Sequence, residues 1–167
     1  MLDTLIEVEG EERGVAVHSL DWLAQRVRWH LDRAETLARV VLGLADDGSI
    51  IGHAIYRIES RDDDPYGLIA TTYVVPEFRK LGVASSFLNE AHRWFCEQGV
   101  NTSSTWTSGT NSRLIALYQK HGYEVVDHGP NGVNGTPMVK LGIRMSQHES
   151  HPSVDVSHGH AVRCGSY

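Results

Sequence analysis

Two cations and a glycine stand where a predicted strand gives way to a predicted helix. Arg79 and Lys80 follow an apolar run that ends at Val75, and Gly82 precedes a stretch with helical spacing. The first N–H groups of a helix have no partner within it, and partial positive charge gathers there. Such a turn can bind an anion through its backbone. These residues favour a phosphate or diphosphate site, but an ordinary loop with solvated cations fits this segment alone equally well.

The elements around this turn are predicted from hydrophobic spacing and turn residues. In order, we predict a helix (19–35), three strands (36–45, 49–59 and 68–75), a helix from Gly82 to Gly99, a strand (101–108), a helix (111–121) and two strands (123–128 and 136–145). Turns are expected at 46–48 and over 61–67. This order predicts one α/β domain with a mixed, mostly antiparallel central sheet and helices on both faces.

Within this order, two segments predict how the layers pack. Residues 68–75 are apolar on both faces, which is typical of a central strand. The helix after Gly82 carries one apolar stripe, made of Phe87, Leu88, Ala91, Trp94 and Phe95. We assign residues 1–146 to the domain and 147–167 to a polar, histidine-containing tail.

Composition narrows the classes of partner. The formal net charge is −6, so we expect no nucleic-acid binding. Nothing approaches the ~20 consecutive apolar residues that cross a membrane, and the N-terminus lacks the pattern of a signal peptide. The two cysteines, Cys96 and Cys164, lack metal-type spacing, so we expect free thiols and a cytoplasmic protein.

A second segment favours the interpretation of the turn as an anion site over that of an ordinary loop. Residues 110–126 place Asn111 at a helix start, Tyr118 two turns later and Gly122-Tyr123 at the exit. Together with residues 74–84, which contain Arg-x-x-Gly-x-Ala, this segment resembles the GCN5-related N-acetyltransferase (GNAT) superfamily. The resemblance covers about residues 36–146 and implies the acyl-CoA N-acyltransferase fold.

The resemblance also implies acetyl-CoA as co-substrate and assigns residues to it. Backbone N–H groups would hold the CoA diphosphate, with Arg79 adding charge; these groups belong to Lys80, Leu81, Gly82, Val83, Ala84 and Ser85. The strand ending at Tyr73, Val74 and Val75 would separate from the next strand. The pantetheine arm would then pair with it as an added strand. Asn111 either binds CoA or only caps its helix.

Acetyl transfer to an amine has three needs: a deprotonated amine, a polarised carbonyl and a stabilised thiolate. An alkyl amine with a pKa of ~10 is mostly protonated at pH 7, so a base or a water relay helps. The backbone N–H of Val74 or Tyr73 can polarise the carbonyl. The resemblance favours Tyr118 as the group that protonates the leaving CoA thiolate; the alternative is a tyrosine of the core.

No residue stands out as the general base. His53 fits the core better than the cleft, and weaker candidates are Tyr56, Thr72, Tyr73, the Asp62–Asp64 turn and a bound water. The loop 128–135 matches a segment that borders the acceptor in the family, and a flexible hairpin explains it equally well. Trp106 fits the core or the acceptor pocket. The tail histidines and Cys164 match no established metal site, so we expect no metal.

We therefore expect an acetyl-CoA-dependent N-acetyltransferase with a small-molecule amine as acceptor. A protein amine remains open as the acceptor, and a homodimer is a family-level expectation only. A non-catalytic acyl-CoA-binding regulatory module is the main alternative, because it needs the phosphate turn but no aligned acceptor. A purely structural domain is the third.

Overall fold

Six strands and three α-helices make up the described part of the chain. The structure is a computed structural model and describes residues 20–32, 34–132 and 135–145. In chain order the elements are α1 (Leu20–Leu31), β1 (Ala38–Leu44), β2 (Ile50–Arg61), β3 (Asp64–Val74), a 3₁₀ turn (Pro76–Phe78), α2 (Val83–Glu97), β4 (Thr102–Ser108), α3 (Ser112–Lys120), β5 (Glu124–Pro130) and β6 (Pro137–Arg144). This order matches the one predicted from the sequence.

The strands form one sheet in the order β1-β2-β3-β4-β6-β5. Every neighbouring pair is antiparallel except β3 and β4, which are parallel and are joined through α2. Parallel neighbours need a crossover connection, which the amphipathic stretch after Gly82 provides. The predicted mixed, mostly antiparallel sheet is confirmed, and β3 is central in it.

Helix α2 lies closely on one face of the sheet. Its predicted apolar stripe is buried in full. Gly67 on β3 makes this approach feasible, because a Cβ there would lie 2.5 Å from the ring of Phe95. The cluster that results is the core of the molecule, and its largest members include Tyr56, Trp94, Phe95 and Leu141.

Helix α1 lies against β1, on the opposite face. Alternation along β2 assigns the faces: Ala54 and Tyr56 join the α2 cluster, so His53 and Arg57 face the other way. Arg57 there stacks over Trp29 of α1, at 5.4 Å from the ring centroid. The layers are therefore helices on both faces, as predicted.

Two sequence expectations differ from the structure. The third strand begins at Asp64, not at residue 68, because Asp62 and Asp63 both adopt positive φ (51° and 65°) and close a two-residue turn by themselves. The hairpin between β2 and β3 is thus longer than predicted.

Cys96 is disulfide-bonded, so the expectation of a free thiol there is wrong. Cys164 lies outside the described residues.

Two further expectations concern segments outside the described residues: the tail at 147–167 and its histidines. No described helix is both long and apolar enough to span a membrane.

Candidate active site

The turn between β3 and α2 exposes its backbone. Lys80 (φ 64°) and Gly82 (φ 89°) both adopt the left-handed conformation, and no side chain caps the start of α2. Within the described residues, the N–H groups of residues 80–85 have no hydrogen-bond acceptor in the protein. A Cβ built on Gly82 would meet nothing within 4 Å, so the turn is not blocked by side chains. Backbone donors at the positive end of a helix are suited to hold an anion.

Arg79 is directed back onto β3. Its Nε donates to the carbonyl oxygen of Val74 at 2.9 Å, and its guanidinium lies 5.9 Å from the ring centroid of Tyr73. These contacts fix the path of the chain between strand and turn. Lys80 and Leu81 are exposed at the tip of the turn.

Strands β3 and β4 separate before they end. They pair only at Gly67 with Ser103 and at Leu68 with Ser104. One position further, Thr105 Oγ1 donates to the Ile69 carbonyl at 2.8 Å. The β2–β3 register then shifts, so that Ala70 has no partner on β2 and forms a bulge. We call the space between residues 70–74 and residues 106–108 the β3–β4 gap.

Ladder geometry shows which backbone groups face this gap. The Val75 N–H donates to the Ile51 carbonyl at 2.9 Å, and Val74 is opposite Gly52. In an antiparallel ladder this makes Val74 a non-hydrogen-bonded position relative to β2, so its N–H and carbonyl point towards the gap. The backbone of Tyr73 points towards β2 instead. Of the two residues predicted to polarise a carbonyl, Val74 is the one whose N–H faces the gap.

The phenol of Tyr118 reaches the gap from α3. Its Oη lies 3.3 Å from Thr72 Oγ1 on β3, and its side chain is buried. Burial raises the pKa of Tyr118 to about 12, and hydrogen bonds with Thr72 and Thr105 offset part of that effect. The phenol is therefore fully protonated at neutral pH and available as a hydrogen-bond donor.

Asn111 caps α3 as the sequence predicts. Its Oδ1 accepts from the Leu114 N–H at 3.3 Å, and its Nδ2 donates to Thr107 Oγ1 at 3.2 Å. Both ends of the side-chain amide are thus used within the protein. A contact of Asn111 with CoA stays a prediction.

The ends of α2 and α3 meet beside the turn. His121 Nε2 lies 2.9 Å from Ser85 Oγ. Tyr118 precedes His121 by three residues, which is about 4.5 Å along a helix axis. The turn and the phenol, predicted from two separate segments, therefore belong to one region of the molecule.

The residues considered as weaker candidates for the general base or the acceptor pocket lie in separate parts of the fold. Burial lowers the pKa of His53 to about 4, and its ring lies 5.7 Å from that of Tyr73, on the face opposite α2. Tyr56 is in the core. His128 is exposed on β5, and Trp106 is half-exposed against Gly129.

A groove of about 640 Å³ lies beside the first residues of β3 and β4, at the end of these strands that is away from the gap. Tyr66 and Ser104 line it, and Lys140 spans it, with its ammonium 5.7 Å from the Tyr66 ring centroid. Charged side chains of both signs also line it; they are Arg61, Asp62, Asp64, Glu124 and Arg144. Among the described residues, no group of three or more His, Cys, Asp or Glu side chains could hold a metal ion.

Sequence reasoning missed Thr105 and His121. Thr105 lies on a strand recognised only as short and polar, and its contact with Ile69 requires the sheet order. His121 contacts Ser85 across 36 residues of sequence. Residues 102–108 are polar except for Trp106, so no alternation in the sequence distinguished Thr105 from its neighbours.

Comparison with solved structures identifies the fold. Ard1 from Thermoplasma volcanium aligns with a TM-score of 0.66 and 16% identity, over 87% of this chain and 92% of that one. A GNAT family acetyltransferase from Elizabethkingia anophelis, with acetyl-CoA bound, aligns with a TM-score of 0.59 and 17% identity, over 76% and 84%. The architecture is the acyl-CoA N-acyltransferase fold.

Comparison of sequences agrees with the fold found by comparison of structures. Mycothiol acetyltransferase from Propionibacterium freudenreichii subsp. shermanii is 25% identical over 89 residues, which are 53% of this chain and 28% of that protein. The chain thus spans little more than a quarter of this relative. The model of the acetyltransferase (GNAT) family matches residues 3–123, which is well over half of the sequence. The chain belongs to the GNAT family of acetyltransferases.

Proposed function

We propose that the chain is an N-acetyltransferase that moves the acetyl group of acetyl-CoA to a primary amine, most simply that of a small molecule. One observation carries the proposal: backbone donors with no acceptor among the described residues, at the turn before α2, lie in the same region as a protonated phenol at the β3–β4 gap. Membership of the family and a neighbour crystallised with acetyl-CoA support it.

The residues present fit acetyl-CoA. The N–H groups of residues 80–85 offer a nest for a diphosphate, and the open space at Gly82 admits it. The outward N–H of Val74 offers a strand-like hydrogen bond to the pantetheine amides or to the thioester carbonyl. The Val74 carbonyl already accepts from Arg79, so this backbone position serves mainly as a donor.

Acetyl-CoA supplies an acetyl group that is activated as a thioester. In the transfer, the C–N bond forms as the C–S bond breaks, and the amine proton leaves to solvent or to a base. The protein contributes position and hydrogen bonds. In this proposal the Val74 N–H stabilises the negative charge that develops on the carbonyl oxygen, in the way an oxyanion hole does.

In this proposal the Tyr118 hydroxyl stabilises the departing thiolate. With the phenol pKa raised to about 12 and a thiol near 8.5, complete proton transfer would be uphill by about 5 kcal/mol. A strong hydrogen bond from the phenol is therefore the main contribution, and the proton follows as the thiolate leaves. The Thr72 hydroxyl holds the phenol at the gap in the meantime.

The groove at the start of β3 and β4 is large enough for a small molecule. Its volume of about 640 Å³ lies within the range of small-molecule sites. Ser104, whose hydroxyl is buried without a partner, stands in its floor and is also the last residue of β4 that pairs with β3.

The decisive experiment separates binding from transfer. Calorimetry first measures whether the protein binds acetyl-CoA. Free thiol is then followed with acetyl-CoA and a panel of small amines, amino acids and peptides with free N-termini. We expect binding and acceptor-dependent thiol release with at least one small amine. Release with peptides alone would reassign the acceptor to protein amines, binding without release would favour a regulatory module, and no binding would contradict the proposal.

A further inference from the structure

The contact between His121 and Ser85 stands at the edge of the exposed turn. Ser85 is in the first turn of α2 and belongs to the run of residues whose N–H groups have no acceptor in the described part of the chain. His121 follows the last residue of α3. Their side chains meet at 2.9 Å although 36 residues separate them in sequence. Both side chains are only half-buried, so the pair lies where a ligand on the turn can reach it.

We propose that His121 positions the Ser85 hydroxyl so that it donates a hydrogen bond to the diphosphate of bound acetyl-CoA. The inference rests on the proposed function. In this arrangement the His121 Nε2–H donates to Ser85 Oγ, which leaves the single hydroxyl proton free for a phosphate oxygen. A serine hydroxyl has one proton to donate and two lone pairs to accept with. His121 is a positioning residue here, since it acts through Ser85.

The neighbouring serine shows what an unassisted hydroxyl does at this place. Ser86 Oγ donates to the Gly82 carbonyl, four residues back, at 3.3 Å. This back-bonding is a common alternative for a serine within a helix. Ser85 is instead engaged by the imidazole. The difference between two adjacent serines is the physical basis of the inference.

The experiment compares ligands with and without the diphosphate. Dissociation constants are measured for CoA, for dephospho-CoA, which keeps the diphosphate but lacks the 3′-phosphate, and for pantetheine, which lacks both. The proteins are the wild type, His121→Ala, His121→Gln, Ser85→Ala and the double variant Ser85→Ala/His121→Ala. Ser86→Ala is the matched control. Thermal unfolding confirms that each variant is folded.

We expect His121→Ala and Ser85→Ala each to weaken CoA and dephospho-CoA binding about tenfold, the usual scale of a hydrogen bond to a charged group. The double variant should be little weaker than either single one, because both remove the same interaction. His121→Gln, whose amide N–H can replace Nε2–H, should stay within about threefold of wild type. Ser86→Ala should bind as the wild type does, and pantetheine should not distinguish the proteins.

Three results would overturn the inference: wild-type affinity in His121→Ala, an equal loss for pantetheine, or a loss that disappears with dephospho-CoA. The last would assign His121 to the 3′-phosphate. These failures leave the proposed function intact. A wild-type protein that binds no CoA would contradict the proposed function itself.

Discussion

Tyr118 is a buried residue to which the proposed function assigns chemistry in addition to packing. Its ring packs edge-to-face on Tyr123 at 4.8 Å, as a core tyrosine would, while its hydroxyl lies against Thr72 at the gap. The two roles considered from the sequence are therefore compatible. Burial keeps the phenol protonated, and that is the state in which it can stabilise a thiolate.

Replacing Tyr118 by Phe removes the donor and keeps the ring. We expect kcat to fall about 100-fold, at the low end of general acid contributions, with the dissociation constant of acetyl-CoA changed less than about threefold. Steady-state kinetics and calorimetry check the two values. Tyr56→Phe is the control, because Tyr56 is equally buried but packs on Trp94 in the core. An unchanged kcat in Tyr118→Phe would remove the phenol from the mechanism.

At this scale the sequence predicts some residues well and others not at all. Asn111, Tyr118 and Gly82 stand at fixed offsets from helix ends, so local patterns and family resemblance find them. Thr105 and His121 act through contacts between separate elements, and no local pattern encodes those. The direction of the Val74 and Tyr73 backbones likewise follows only from the strand register.

At the scale of the elements, the shape of the turn before α2 depends on the backbone conformation of a glycine. Gly82 adopts φ 89° with open space where a Cβ would lie. Gly99, just after the end of α2, adopts φ 77° with equally open space. The two glycines thus share a conformation and differ only in their distance from the proposed diphosphate site.

Substituting each glycine by Ala separates stability from binding. Both Gly82→Ala and Gly99→Ala should lose about 1–2 kcal/mol of unfolding free energy, since a left-handed conformation costs an L-residue about that much. Urea unfolding measures this. Only Gly82→Ala should also weaken acetyl-CoA binding, because the turn that it distorts carries the N–H groups of residues 80–85. Equal affinities in the two variants would mean that the turn does not hold the cofactor.

Element order was predictable from the sequence, whereas one strand boundary was not. The polar, proline-containing segment after Arg61 is typical of a long turn, yet two aspartates with positive φ close the turn and Pro65 already pairs with Ser60. Strand pairing overrides local propensity here. The bulge at Ala70 could not be predicted either, because a one-residue register shift leaves no signal in the composition.

For the molecule as a whole, buried neutral histidines make stability depend on pH. His92 is fully buried between α2 and the sheet, with Nε2 at 2.7 Å from the Tyr123 hydroxyl. Burial, and then the charge of His121, lower the pKa of His92 to about 4. Burial likewise lowers the pKa of His30 and of His53 to about 4.

Between pH 6.5 and about 4 these histidines bind protons in the unfolded chain but not in the folded protein, so acidification should lower the free energy of unfolding. Unfolding free energies from urea titrations at pH 7 and pH 5 should show this loss. In His92→Gln, which removes the titrating ring, the loss should be smaller by about 2 kcal/mol. An identical pH dependence in the variant and the wild type would contradict a buried, neutral His92.

In the proposed complex one ligand reaches both the turn and the phenol, and a crystal structure with acetyl-CoA tests this most directly. We expect diphosphate oxygens about 2.7–3.2 Å from the nitrogens of residues 80–85. The thioester should lie in the β3–β4 gap, with its sulfur in hydrogen-bond contact with the Tyr118 hydroxyl. A diphosphate bound elsewhere, or a sulfur too far from Tyr118 to receive its hydrogen bond, would contradict the account.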